Sequence, residues 1–407
     1  MAELICIPIY FESQKNMNIL IVGYAYIREN YFNTFKFYPE PEKISFLLPK
    51  IWKAKGGKVV FRPPLGPNIS LANAYFYHSH YPLIGGLLKG WMPTLPFVLW
   101  RLKRKNKISL VFSPSEPILI TTLYQAFWSK FFGLKHLIFT WENIPYESKF
   151  RGFNLLFKKI IIKLNLLLSD GIVCGNRKAE DIFKRLTKKP IVVIPLSGVD
   201  ADFFHKVNAG DFLETHDLKD KLIFSFAGAI GYRKGLHNII RAFKKVLTVL
   251  PNAHLVIAGT GEYEESLKLE VESLKLKNAV AFIPWLSPVG LRELLSVSHI
   301  FLYPSISYGG WEEQFGYSMA EASLMELPVI STRSGSVEDV VVDKETGLLI
   351  KPDDVAELEG AMLKLGSDPM LREKIGRAGR QYVIDNFAYK IIAGKFYEFF
   401  KKINLHS

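Results

Sequence analysis

Residues 300–331 read IFLYPSISYGGWEEQFGYSMAEASLMELPVIS. An apolar run at Ile300–Tyr303 gives way to a polar, glycine-bearing loop. Helical spacing begins near Phe315 or Gly316, and a second apolar, β-branched run follows at Val329–Ser331. Apolar strand, helical crossover and apolar strand in about 30 residues make the unit from which parallel sheets are built. Both strands read as continuous apolar runs, as strands covered on two faces do.

The same alternation extends outward in both directions. Upstream lie Lys221–Ala227, His254–Ala258 and Val280–Ile283, and downstream Leu348–Ile350. The first half repeats the plan with strands expected at Asn18–Gly23, Lys58–Phe61, Ser109–Phe112, His136–Thr140, Gly171–Cys174 and Ile191–Ile194. A chain of 407 residues is too long for one ordinary core. The pattern predicts two doubly wound α/β domains with a cleft between them. Residues 194–204, IPLSGVDADFF, break the periodicity as an interdomain connection does. The first domain is therefore placed at 17–197 and the second at 198–386. The aromatic tail, 387–407, is expected to be a helix that packs back on the first domain. Met17 opens the strand-like MNILIVG, so residues 1–16 read as an extension ahead of the fold.

Composition narrows the classes further. With 49% hydrophobic and 22% charged residues the chain is globular rather than disordered. Two cysteines, Cys6 and Cys174, are too few for a disulfide framework or a Cys-based metal site. That usage, and the lack of a secretory signature in the first residues, leads us to expect a cytoplasmic protein. Residues 1–200 carry 28 basic and 12 acidic side chains, a net of +16, whereas residues 201–407 carry 24 and 27, a net of −3. The first half should therefore meet something anionic. No recognisable nucleic-acid-binding module is present. The stretch 100–107, WRLKRKNK, follows a Pro- and Trp-bearing apolar segment, and 153–169 interleaves Lys with Leu and Ile. These features point to an anionic membrane surface as partner, with the protein peripheral on the cytoplasmic face. Solubilising surface charge is the plainer reading of the same residues.

Chemistry concentrates in two clusters of the second half. In EQFGYSMAE, Glu313 stands at the mouth of the expected helix and Glu321 inside it. The helix N-terminus presents unpaired N–H groups suited to phosphate, and ligands of open α/β sheets bind outside the carboxyl ends of the strands. In 226–235, FAGAIGYRKG, Gly228 lets backbone approach a ligand, and Arg233 and Lys234 neutralise a diphosphate. As a loop cation, Lys234 is expected to matter for turnover and little for folding. No Asp-rich or His cluster offers a metal site. Gly259-Thr260-Gly261 lacks the third glycine of a dinucleotide fingerprint.

These elements together resemble the family-4 (group 1) glycosyltransferases, retaining enzymes of the GT-B fold with two Rossmann-like domains facing across a cleft. The resemblance rests on Glu313, Phe315, Gly316, Glu321 and Pro328–Ile330, on Lys234–Gly235, on Gly198–Asp200 and on Thr346–Leu349, in the family's order. It implies a nucleoside-diphosphate sugar as donor, no cofactor, and a glycan or lipid-linked acceptor. It further implies that Lys234 contacts the diphosphate, Glu313 the transferred sugar and Glu321 the ribose, with Gly228, Arg233, Gln314, Phe315 and Gly316 around them. The implied reaction is front-face attack in which the leaving phosphate takes the acceptor proton. One departure is Ala229, where many members carry Arg; Arg233 is the candidate replacement.

On the acceptor side many members place a His where this chain has TWENI, Thr140–Ile144. Glu142 is the candidate to polarise an acceptor hydroxyl or stabilise charge on the sugar, or else a satisfied loop carboxylate. Trp141, Glu116 in the PSEP turn, and His78 and His80 in YHSHYP are further candidates. Rival readings are a sugar-nucleotide epimerase or hydrolase on the same plan and a non-catalytic, membrane-associated sugar-nucleotide binder.

Overall fold

The computed structural model describes residues 17–53, 60–77 and 86–405. Candidates His78 and His80, like residues 1–16, lie outside the described residues. In the first domain the strands are β1 (Asn18–Val22), β2 (Ile44–Pro49), β3 (Trp52–Lys53), β4 (Val60–Phe61), β5 (Ile69–Ala72), β6 (Ile108–Ser113), β7 (Lys135–Thr140), β8 (Gly171–Cys174) and β9 (Ile191–Val193). Seven of them form one parallel sheet in the order β5-β2-β1-β6-β7-β8-β9. The second domain contributes β10 (Leu222–Ala227), β11 (Ala253–Ala258), β12 (Val280–Ile283), β13 (Ile300–Tyr303), β14 (Val329–Thr332) and β15 (Gly347–Ile350). They form a parallel sheet in the order β12-β11-β10-β13-β14-β15.

Each sheet reverses its winding once, between β1 and β6 and between β10 and β13. A crevice opens at the carboxyl ends of the strands at such a reversal, because the flanking crossovers leave on opposite faces. Residues that follow β10 and β13, including Gly228 and Glu313, are thereby delivered to the same crevice. The central strands are buried along almost their whole length, as their predominantly apolar sequences require.

Two strands of the first sheet escaped the sequence reading, and one expected strand lies elsewhere. Ile44–Pro49 is framed by prolines that read as breakers, and Ile69–Ala72 is a half-exposed edge; pairing with β1 and β2 defines them. Val60–Phe61, expected in the main sheet, instead pairs antiparallel with Trp52–Lys53 in a separate ribbon.

The chain crosses between domains twice, and the crossings are bonded to each other. Val199 N donates to Phe387 O (2.9 Å) and Tyr389 N to Val199 O (3.1 Å). A Cβ on Gly198 would lie 2.7 Å from Phe387 O, so a side chain there would push the crossings apart. After the second crossing the helix Tyr389–Leu405 lies on the first domain. Its Phe396 and Phe400 rings sit 5.6 and 5.5 Å from Phe112, with Phe35 5.3 Å from Phe396. This aromatic seam buries the tail's apolar face.

Candidate functional site

Between the domains lies a cavity of about 470 Å³, bounded by Gly228, Arg233, Glu313, Phe315 and Glu321 of the second domain and by Arg28, Tyr31 and Trp141 of the first. That size suits a small organic ligand (about 300–1,000 Å³).

The loop after β13 builds one wall. Tyr308 and Trp311 exchange backbone hydrogen bonds of 3.0 and 3.1 Å around Gly309 and Gly310. Both glycines have positive φ, +60° and +72°, the requirement of a two-residue hairpin turn of type I′. The turn sets the Trp311 ring 3.4 Å from the Arg233 guanidinium, a cation–π contact that holds Arg233 at the cavity. Gly316 then turns the chain at φ +81° and caps the helix Tyr317–Leu324 without any side-chain acceptor, and Gly316, Tyr317 and Ser318 line the cavity at that uncapped end. The helix starts at Tyr317, one or two residues after the expected Phe315 or Gly316.

Glu313 and Lys234 form a buried pair, 6% and 5% exposed. The Lys234 ammonium donates to Glu313 Oε2 and to the Tyr303 hydroxyl. Ser305 Oγ donates to the same carboxylate oxygen at 3.3 Å, and Arg233 approaches it at 3.9 Å. Burial alone would raise the Glu313 pKa, but Lys234 and Arg233 outweigh it and hold the carboxyl below its ordinary range. The same burial pulls the Lys234 ammonium below its ordinary value, against the attraction of Glu313. Lys234 is thus a floor residue beneath the cavity rather than a loop cation. The expectation that its loss spares folding is corrected, since removing one member of a buried ion pair leaves an uncompensated charge.

The backbone of Glu313 is fixed independently of its side chain. Its carbonyl accepts from Ser336 N (2.8 Å) and from Asn143 Nδ2 of the first domain (2.8 Å). Gly335, at φ +59°, permits this approach, because a Cβ there would lie 2.1 Å from Glu313 O. Glu321 stands on the helix at the cavity with no ion pair among the described residues, and burial pushes its pKa up to about 7.

The first-domain candidates divide. Trp141 lines the cavity, its ring 6.2 Å from that of Phe315, and Gly175 makes room for it. Glu142 is not among the lining residues; its carboxylate takes the Lys149 ammonium and Ile144 N (3.2 Å), the arrangement of a satisfied loop carboxylate. Glu116 is likewise turned inward, accepting from Thr140 Oγ1 and Trp141 N, each at 2.7 Å, and burial raises its pKa to about 7. It holds the loop that carries Trp141 and Asn143. Gly259 and Gly261 serve packing, since a Cβ on either would meet the carbonyl of Gly228 or Ile230 at about 2 Å.

Several site residues had no sequence signal. Asn176 caps the helix Arg177–Lys184 through Ala179 N and donates to Trp141 O (3.2 Å) and Gln314 O (3.3 Å). Asn143 and Asn176 thus tie the domains together beside Glu313. Arg28 reaches the cavity from the loop after β1, its guanidinium 5.9 and 5.5 Å from the Tyr31 and Phe61 rings. Among the described residues no group of three His, Cys, Asp or Glu is placed to hold a metal ion.

Residues 212–382 match the family described as glycosyl transferases group 1. Over 178 residues the chain is 32% identical to the capsular polysaccharide biosynthesis glycosyltransferase CapM of Staphylococcus aureus, covering 43% of this chain and 44% of that protein. It is 31% identical over 162 residues to a GDP-mannose-dependent monoacylated alpha-(1-6)-phosphatidylinositol monomannoside mannosyltransferase of Corynebacterium glutamicum, covering 39% and 42% of the two chains. The matched stretch is therefore less than half the length of either relative. The structure of Anabaena HepE in complex with UDP shares the fold, with a TM-score of 0.73 over 95% of this chain and 100% of that one at 15% identity.

Proposed function

We propose, from the premise that the second domain belongs to the group 1 glycosyltransferases, that the cleft transfers a sugar from a nucleoside-diphosphate sugar to an acceptor hydroxyl with retention of configuration. The observation that carries this reading is the buried Lys234–Glu313 pair beside an uncapped helix N-terminus, with Glu321 one turn further along. The diphosphate meets Arg233 and the N–H groups of Tyr317 and Ser318, with the Lys234 charge behind Glu313, and the ribose diol meets Glu321. The transferred sugar lies against Glu313, and the acceptor comes from the side of Trp141.

As the bond from the anomeric carbon to the diphosphate breaks, its electron pair leaves on the phosphate oxygen. Fixed cations and N–H groups aimed at that oxygen lower the barrier most. The acceptor oxygen then bonds to the anomeric carbon from the face the phosphate leaves, and its proton passes to the departing phosphate. Glu116 and Glu142 are both engaged within the first domain, which supports a route without a carboxylate nucleophile. Because Arg233, Lys234 and the helix supply the positive charge, transfer should persist in EDTA. The names of the relatives support an acceptor in polysaccharide or glycolipid synthesis.

A thermal-shift panel of UDP-, GDP- and dTDP-sugars tests the donor. One class should raise the melting temperature as RT ln(1 + [L]/Kd) requires, and Lys234→Ala should lower transfer with that donor by roughly tenfold to a thousandfold. Absence of any stabilising nucleotide sugar would refute the assignment.

A further inference from the structure

A second concavity, of about 780 Å³, lies on the first domain between the helix Gly152–Leu168 and the segment that follows the helix Arg177–Lys184. Its walls are apolar: Ile162 and Leu166 are buried beneath it, while Leu167 and Leu186 stand 69% and 47% exposed at its edge. Its rim is cationic. Lys163 and Arg185 face solvent there, and neither makes an ion pair among the described residues. The one carboxylate at the rim, Glu147, is taken by Lys159 at 2.7 Å. Along the same helix Phe153, Leu156 and Ile160 are 81%, 56% and 49% exposed, interleaved with Lys158 and Lys159 and with no acidic residue.

Water is a poor partner for this combination. An apolar trough with an uncompensated cationic rim is complementary to a molecule with a long hydrocarbon part and an anionic head. We propose that the groove seats one acyl chain of an anionic bilayer phospholipid, whose phosphate is taken by Lys163 and Arg185, and that this docks the first domain on the membrane. The exposed Phe153 face enters the interface beside it, as interfacial helices do. No helix among the described residues is long and apolar enough to cross a membrane. The loop between Trp141 and Glu147 borders the cleft at its start and the groove at its end. A docked lipid therefore holds the acceptor side of the cleft toward the bilayer. This inference stands apart from the chemistry in the cleft.

Co-sedimentation of the full chain with vesicles of 30% phosphatidylglycerol in phosphatidylcholine tests it, with pure phosphatidylcholine as the comparison. The wild type should bind the acidic vesicles, bind the neutral ones far less, and stay partly bound in 0.5 M NaCl, where exposed charge attraction is largely screened. Lys163→Gln/Arg185→Gln should weaken partition about 30-fold at low salt. Leu167→Asn/Leu186→Asn should bind at low salt but retain clearly less than the wild type in 0.5 M NaCl, where only the exposed Phe153 face still holds. All four positions are exposed, so melting temperature should match the wild type; monomeric lyso-phosphatidylglycerol, titrated by calorimetry, should bind the wild type and not the leucine variant. Failure to sediment with acidic vesicles, complete release of the wild type by salt, or leucine variants that behave as wild type would each overturn the groove. Donor binding in the thermal-shift panel would be untouched by any of these failures.

Discussion

Replacing Lys234 by methionine keeps the length of its stem and removes its charge, which isolates the electrostatic part of the buried pair. Glu313 would then keep Ser305 Oγ at 3.3 Å and Arg233 at 3.9 Å, but lose its shortest contact and its buried countercharge. Breaking a buried ion pair costs about 3–5 kcal/mol; with Arg233 still near, the lower end, about 3 kcal/mol, is expected. For a domain of this size each kcal/mol lowers the melting temperature by roughly 2–4 °C, so Lys234→Met should melt about 6–12 °C early. Glu313→Gln added to it removes the stranded charge, and the double variant should recover about half of that loss, so the coupling is favourable by at least about 1.5 kcal/mol. Scanning calorimetry of the wild type, both single variants and the double variant at pH 7.5 measures the cycle. Strictly additive losses, or a Lys234→Met protein as stable as the wild type, would refute the claim that this pair is held together in the dry floor of the cleft.

Glu321 has its pKa raised to about 7 by burial, above the ordinary 4.5. The folded state thus holds a proton that the unfolded state releases near pH 4.5, and stability falls as pH rises from about 4.5 to about 7. Glu321→Gln removes that fall, and its melting temperature relative to wild type should climb between pH 5 and pH 8, by at most about 3 kcal/mol of stability; a flat difference would sink the assignment. Calorimetric titration with the nucleoside diphosphate found in the donor panel should show Glu321→Gln weakened and Glu313→Gln nearly unaffected, and equal losses would contradict the division between ribose and sugar. Asn143→Ala removes an interdomain hydrogen bond to Glu313 O and should reduce kcat/KM for transfer roughly fivefold, about 1 kcal/mol, with unchanged binding of the free diphosphate to the second domain; a wild-type kcat/KM would show that closure does not depend on it.

Much of this was legible because the second half concentrates local signals. Strand, loop, helix and strand follow one another within residues 300–331, so Glu313, Gly316 and Glu321 are placed by connectivity alone, and an apolar run such as Ile300–Tyr303 has no other stable use than a buried strand. Charge was also countable: the basic excess of the first half and the Lys–Leu interleaving of 153–169 needed no coordinates. What the sequence could not yield are relations between residues far apart in the chain. Ile44–Pro49 is a strand because β1 and β5 lie on either side of it. Glu142 and Trp141 are neighbours in sequence, yet Lys149 draws one carboxylate away while Gly175 opens room for the other's ring at the cleft. Asn143 reaches Glu313 across 170 residues, and Lys234 reaches it across 79. Local pattern determined that this chain makes two parallel sheets and which loops emerge at their carboxyl ends. Only tertiary packing decided which of those loops meet, because burial and hydrogen-bond partnership are properties of what closes over a residue, and that surface comes from elsewhere in the chain.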